Sequence, residues 1–445
     1  MTKDMTVGSP MKLILGFIIP LIFGNLFQQF YSMVDTIIVG RFLGKESLAA
    51  VGSTGSLNFL IIGFCLGICS GFAIPVAQKF GSKDFEDLRR FVGNIVWLGI
   101  GFSVVLTVLT VVFCRPILVM MKTPSDIIDN AYAYIVIIFA GIPSIFLYNV
   151  LAGLLRALGD SKTPVVFLVL ASIINIVLDL VLIIIMPMGV AGAAIATVAS
   201  QGISGIACFV FIIKKFPALH ISKDDLKIRT EYMSRLCSIG VPMGLQSSIT
   251  AIGSIILQTS VNALGSLVVA AVTAGGKLGM FLCSAFDAMG VAMSTYGGQN
   301  IGAGKIKRLT PGLKSAMIIG SIYAVIALLI SIFAGKPLMV LFVESSEVEI
   351  IEKAHLFLII NAAFYIPLAG VNIVRLLIQG MGYSKMAMFA GICEMIARGL
   401  VGFILVPAFG FVAACFASPI AWIMADAFLI PAYFYILNRI PQTGE

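Results

Sequence analysis

The chain has 445 residues, 60% of them hydrophobic and only 11% charged, and its mean hydropathy is +1.08. That balance excludes a soluble globular domain and leaves a polytopic helical membrane protein. The net charge of +8 points to membrane topology rather than to nucleic acid, because the basic residues gather in short loops between apolar runs.

Residues 1–10 lack the basic region and cleavage site of a signal peptide, so the first apolar segment is expected to stay attached. That segment, 12–36, carries Pro20, Gln28, Tyr31 and Asp35. The last three recur at spacings of three and four, so they share one helix face. A charge inside a spanning helix costs a few kcal/mol or more, so Asp35 is expected to be functional; the plainer alternative is a polar contact between helices. Pro20 removes a backbone hydrogen bond, and a bend is expected near it.

Further apolar runs of spanning length fall at 48–76, 91–114, 130–154, 164–186 and 190–213. A polar stretch over 214–235 follows, and six more runs lie at 236–262, 267–296, 312–335, 350–378, 386–407 and 411–437. Each can cross a hydrocarbon core of about 30 Å. The expected fold is therefore an all-α polytopic membrane protein of twelve transmembrane helices in two pseudo-symmetric six-helix lobes. The N-terminal lobe is expected over 1–213, a cytoplasmic linker over 214–235, and the C-terminal lobe over 236–445. The large majority of the 29 lysines and arginines fall in loops on one side, which places both termini in the cytoplasm.

The halves repeat at an offset of about 221 to 223 residues. Pro20 falls on Pro242, Leu43-Gly44 on Leu264-Gly265, Gln78 with Gly81 on Gln299 with Gly302, and Ser161-Lys162 on Ser384-Lys385. Six helices per half is an even number, so the repeats run parallel, one of the transporter architectures.

Five acids lie inside the expected spans: Asp35, Asp179, Asp287, Glu394 and Asp426. Asn175 stands four residues before Asp179, on the same face. Asp35 and Asp179 both fall late in helices that leave the cytoplasm, so they can meet in the outer half of the membrane. Two carboxylates in one low-dielectric pocket cannot both stay ionised cheaply, which allows a shared proton. With Asn175 they can equally offer oxygens to a sodium ion. The matching helix of the second half has no acid. Lys277 and Asp287, ten residues apart, lie on different faces of one helix and are each expected to pair with another helix. Glu394 and Arg398 are spaced for an intrahelical pair. Asp426 offers too little context to read.

The eight cysteines are scattered through apolar runs and form no CxxC pair, so no metal or redox site is expected beyond a possible Na+ at the acids. No acyl-transfer, phosphate-loop or metal motif is present. An intramembrane enzyme would need paired catalytic groups that the sequence lacks, so the chain is not expected to be an enzyme.

These residues resemble the multidrug and toxic compound extrusion (MATE) family, and more closely its DinF-like bacterial branch, over essentially the whole chain. The resemblance rests on Pro20…Gln28-x-x-Tyr31-x-x-x-Asp35, Gln78-Lys79-Phe80-Gly81 and Arg156-Ala157-Leu158-Gly159-Asp160-Ser161. It rests equally on Asn175-x-x-x-Asp179, Gly189-Val190-Ala191-Gly192-Ala193-Ala194 and Gln299-Asn300-x-Gly302-Ala303-Gly304. It implies an antiporter that exports organic, often cationic, drugs or metabolites by alternating access against an inward flow of H+ or Na+. The cation-coupling set it implies is Asp35, Asn175, Asp179 and Thr197, with Gln28, Tyr31 and Asn149 lining the pocket and Pro20 as a hinge. The proton is the favoured ion, because the seventh and tenth helices have no buried acid of their own. No organic cofactor is implied. The expected partners are the small-molecule substrate and the lipid bilayer, not nucleic acid, and the chain is expected to act as a monomer. The rival reading is a flippase for a lipid-linked precursor; such a cavity is usually lined by basic residues, of which Lys277 is the one plain candidate.

Overall fold

The computed structural model describes residues 2–440 and is built of helices throughout. In chain order they are α1 (Pro10–Ser53), α2 (Gly55–Gly81), α3 (Phe85–Met120), α4 (Ile128–Ala140), α5 (Ile142–Ala157), α6 (Lys162–Asp179) and α7 (Gly189–Lys215). After the linker come α8 (Thr230–Asn262), α9 (Ser266–Gly302), α10 (Leu309–Met339), α11 (Val348–Ala363), α12 (Tyr365–Gly380), α13 (Ser384–Leu400), α14 (Val406–Phe409) and α15 (Phe411–Arg439). Among the described residues ten helical stretches are long and apolar enough to cross a membrane. Two broken pairs, α4 with α5 and α11 with α12, bring the number to twelve when each counts as one span. The fourth and tenth spans are thus bent, by 46° and 52°, where the sequence suggested continuous runs.

Irregular backbone recurs at the offset of the sequence repeat. Positive φ angles pair Gly44 (85°) with Gly265 (96°), Lys83 (59°) with Gly304 (70°), Gly159 (81°) with Gly382 (94°), and Gly189 (62°) with Gly410 (61°). Left-handed backbone costs an L-residue about 1–2 kcal/mol, so glycine holds seven of these eight turns. The π-helical turn Leu180–Ile185 after α6 likewise has a counterpart, Val401–Leu405, after α13. π-turns are rare, so a matched pair marks two copies of one design. In α1 the interruption of helical dihedrals falls at Gly44, and the helix continues through Pro20. The first turns of α1 around Pro20 are packed, with Ile14, Phe17, Ile18 and Leu21 buried.

The chain falls into two compact units. One holds the residues up to Asp4 together with Phe23–Gly244; the other holds Met5–Ile22 together with Leu245 onward. These bounds differ from the halves 1–213 and 236–445 read from the sequence, whose extreme ends, Met1 and 441–445, lie outside the described residues. Each unit borrows the first turns of a helix from the other half: α1 is divided at 22/23 and α8 at 244/245. Both divisions fall two residues past a repeat-related proline, Pro20 or Pro242.

The linker belongs to the first unit because it is fastened to α3. Asn94 donates to the Lys227 carbonyl (3.3 Å) and accepts from the Arg229 N–H (3.0 Å), and the Trp97 indole donates to the Leu226 carbonyl (2.8 Å). The core of this unit gathers Phe72, Phe139, Ile135 and Leu155, all fully buried. Membrane helices gain no hydrophobic drive against lipid, so they associate through small residues. Gly67 and Gly71 of α2 meet Gly244 and Gly240 of α8 in antiparallel register: a Cβ on Gly67 would stand 2.7 Å from the Gly244 Cα, and one on Gly71 2.5 Å from the Gly240 Cα.

Candidate functional site

The first unit brings α1, α4, α6 and α7 together around the two expected acids. Asp179, at the end of α6, is fully buried, and Asn175 one turn earlier is 2% exposed. Asp35 of α1 is half-buried, and its carboxyl is a direct neighbour of Asp179. The Asn175 amide donates to the Thr197 hydroxyl of α7 (3.4 Å), which itself donates back to the Ala193 carbonyl (3.1 Å). Four residues from three helices therefore converge: Asp35, Asn175, Asp179 and Thr197.

What distinguishes the cluster is its hydrogen-bond inventory. Asp35 Oδ1, Asn175 Oδ1 and both Asp179 oxygens are buried without a donor. Buried acceptors are ordinarily satisfied, and an unpaired one costs on the order of 1–3 kcal/mol. Four in one place form an acceptor-only nest that either a proton on a carboxyl or a bound cation would complete. Directly after Asp179 the backbone changes to π geometry, over Leu180–Ile185, a feature common at functional sites.

Tyr31, one turn before Asp35 on α1, lies in the electrostatic field of both acids with Gln28 at its hydroxyl. Gln28 itself is exposed. A second phenol, Tyr134 of α4, also stands near Asp35, Tyr31 and Asp179. Sequence reasoning missed Tyr134, whose only signal was a polar tip within an apolar run on the first arm of a broken span. Asn149 returns its amide to the Ile145 carbonyl of its own helix (2.8 Å), and no contact between it and the acid pair is seen among the described residues. Pro20 belongs to the other unit by its packing.

The second unit holds a different polar centre. Glu394 of α13 accepts from Arg375 of α12 at 2.9 Å and lies 3.5 Å from Arg398, with all three side chains more than nine-tenths buried. The pair read from spacing, Glu394 with Arg398, is present, but the nearer partner comes from another helix. Asp287 of α9 and Asp426 of α15 both feel Arg375. Gly370 makes room for the Asp426 carboxyl, since a Cβ there would stand 2.6 Å from Oδ2. Lys277 is exposed and lines a small hollow with Phe342, Val343 and Ile350.

The MatE family model matches this chain twice, over residues 20–181 and 242–404, one match in each half of the repeat. The probable multidrug resistance protein YoeA of Bacillus subtilis (strain 168) is 31% identical over 374 residues, covering 82% of this chain and 80% of that protein. A protein of Shewanella oneidensis named FAD transporter is 23% identical over 390 residues, 86% of this chain and 85% of that one. In three dimensions the chain is similar to an outward-facing multidrug resistance MATE family transporter, with a TM-score of 0.92 at 23% identity over 100% of this chain and 99% of that one. At that identity the likeness shows the fold.

Proposed function

Because this chain belongs to the MATE family of multidrug efflux transporters, we propose that it is a proton-coupled antiporter that exports organic, often cationic, compounds by alternating access. The observation that carries the reading is the acceptor-only nest of Asp35, Asn175 and Asp179. Facing carboxylates in an apolar setting repel unless a cation lies between them. A proton shared by Asp35 and Asp179 relieves that repulsion and supplies the missing donor, and its release leaves two charges that draw in a cationic substrate or the next proton. Asn175 and Thr197 hold the geometry, and Tyr31 and Tyr134 provide hydroxyls beside the exchange. Sodium would use the same carboxylate, amide and hydroxyl oxygens; what favours the proton is that α8, the repeat partner of α1, carries no acid beyond Glu231 at its start.

The cationic substrate class draws support from the second unit. Both Arg375 and Arg398 are drawn to Glu394, so neither guanidinium is free to hold an anionic substrate. The Bacillus subtilis relative's name points to drugs as the substrate class; the name of the Shewanella oneidensis protein marks a substrate of another chemistry within reach of similar sequences.

Purified protein in proteoliposomes, given an outward-directed dye such as ethidium and either an imposed pH gradient or an imposed sodium gradient, tests this. Efflux is expected to follow the pH gradient. Asp179→Asn and Asp35→Asn are expected to reduce it to background while the protein still inserts and binds dye. Retained pH-driven efflux in either variant, or efflux that follows sodium alone, overturns the assignment.

A further inference from the structure

α3 and α7 both pack on α5, and between them runs a groove of about 560 Å³. Its floor is Phe146, Leu147, Val150, Leu151 and Leu154 of α5, and its walls include Val96, Gly99 and Ile100 of α3 with Phe209 and Ile213 of α7. The short 3-10 turn Pro217–Leu219 and the following His220 and Ile221 close it at the linker end. Ser103 and His220 are the polar side chains among its lining residues. Wall residues such as Val96, Ile100, Phe209 and Ile213 are exposed by 39 to 53%, so the groove opens sideways to whatever surrounds the spanning helices.

The charge pattern at its linker end is uneven. Lys227 and Arg229 are both paired with Asp224, and Arg89 lies 3.9 Å from Asp225. Lys214 and Lys215, in the last turn of α7 beside Ile213, and Lys223, two residues past Ile221, are exposed and without an ion pair among the described residues. Lys214, Lys215 and Lys223 are therefore unneutralised cations next to the groove's mouth. Apolar slots between spanning helices with basic residues at the membrane interface are the physical pattern for anionic lipid headgroups.

We propose that this groove is a binding site for one anionic phospholipid: an acyl chain lies along α5 between α3 and α7, and the phosphate sits at Lys214, Lys215 and Lys223. The slot excludes water and rewards a hydrocarbon chain, and three free ammonium groups at its end reward negative charge, so a zwitterionic lipid of the same chain length is held less well.

Trp97 stands next to Val96 on the groove wall and is 43% exposed, which makes it a reporter. The chain has two tryptophans, so Trp422→Phe leaves Trp97 as the single fluorophore. The protein in phosphatidylcholine nanodiscs is titrated with acyl-brominated phosphatidylglycerol or acyl-brominated phosphatidylcholine, and contact quenching of Trp97 is read. Brominated phosphatidylglycerol is expected to half-quench at a mole fraction at least about fivefold lower than brominated phosphatidylcholine. The combined variant Lys214→Gln, Lys215→Gln, Lys223→Gln is expected to erase that preference. Gly99→Leu is expected to weaken quenching by both lipids; a Cβ at Gly99 meets no atom within 4 Å, so that variant fills the groove without disturbing the fold. Equal midpoints for the two lipids, or a preference that survives neutralisation of the lysines, overturns the proposal. Reversal of the quenching by inorganic phosphate rather than by unbrominated phosphatidylglycerol would show a bare anion site and overturn the lipid assignment.

Discussion

Replacing Glu394 by glutamine removes the carboxylate that both Arg375 and Arg398 reach, at 2.9 and 3.5 Å. Two guanidinium groups would then remain buried without an ion-pair partner, a change that costs about 3–5 kcal/mol when one member of a buried pair is lost. Glu394→Gln is therefore expected to lower the melting temperature in detergent clearly, whereas Glu352→Gln, which removes an exposed carboxylate 3.6 Å from Lys336, is expected to leave it near the parent value, an exposed pair being worth at most about 1 kcal/mol. A Glu394→Gln protein as stable as the parent would mean that Asp287 and Asp426 neutralise Arg375 unaided. At this scale the sequence was informative where an acid and an amide at helical spacing interrupted an apolar run. Asp35, Asn175 and Asp179 stood out because hydrocarbon makes them expensive, and their helical spacing gave the shared faces. Tyr134 and Arg375 did not stand out in the same way. A phenol is cheap within a membrane span, and the partner of Arg375 lies nineteen residues away on another helix, beyond the reach of any local spacing rule.

Among the elements, the crossing of α2 and α8 depends on hydrogen in place of a side chain at four positions. Gly71→Leu would force its side chain into the Gly240 backbone, since even a Cβ would come within 2.5 Å of the Cα and 2.9 Å of the nitrogen. Backbone cannot rotate away as a flexible side chain can, so the cost is expected to reach or exceed the usual 1–3 kcal/mol for overpacking, roughly. Gly276→Leu is the matched control, because its Cβ meets nothing within 4 Å. Thermal unfolding of the two variants should separate them; equal melting temperatures would show that α2 and α8 do not pack so closely. The sequence gives a small-x-x-x-small spacing in each helix, yet glycines are common throughout this chain (44 of them), so spacing alone could not say which pair of helices would meet. The bent fourth and tenth spans escaped notice for a related reason. Gly141 and Phe364 sit in runs whose hydropathy is uninterrupted, and the hydrophobic pattern reports burial rather than direction.

For the molecule as a whole, the repeat was the most legible feature, because it is written twice. Matched prolines and glycines at one offset became matched positive-φ turns, matched bends and matched π-turns. The division of α1 and α8 between units was hidden, since helix boundaries follow backbone hydrogen bonds while unit boundaries follow packing. The orientation of the spans rests on where the basic residues lie. An alternating ladder of twelve spans is expected to put Lys79, Lys83, Arg89, Arg90 and the linker lysines on one side with Lys305, Lys307 and Arg308, and positively charged loops are retained in the cytoplasm during insertion. A membrane-impermeant maleimide distinguishes the two orientations. None of the eight native cysteines is exposed, so an introduced thiol dominates the signal. Glu231→Cys, at the exposed start of α8, is expected to react in inverted vesicles and to be protected in intact cells. Lys45→Cys, exposed after the turn at Gly44, is expected to show the reverse. Labelling of Glu231→Cys from the outside of intact cells would invert the topology, and would move the lysine-flanked groove to the outer leaflet as well.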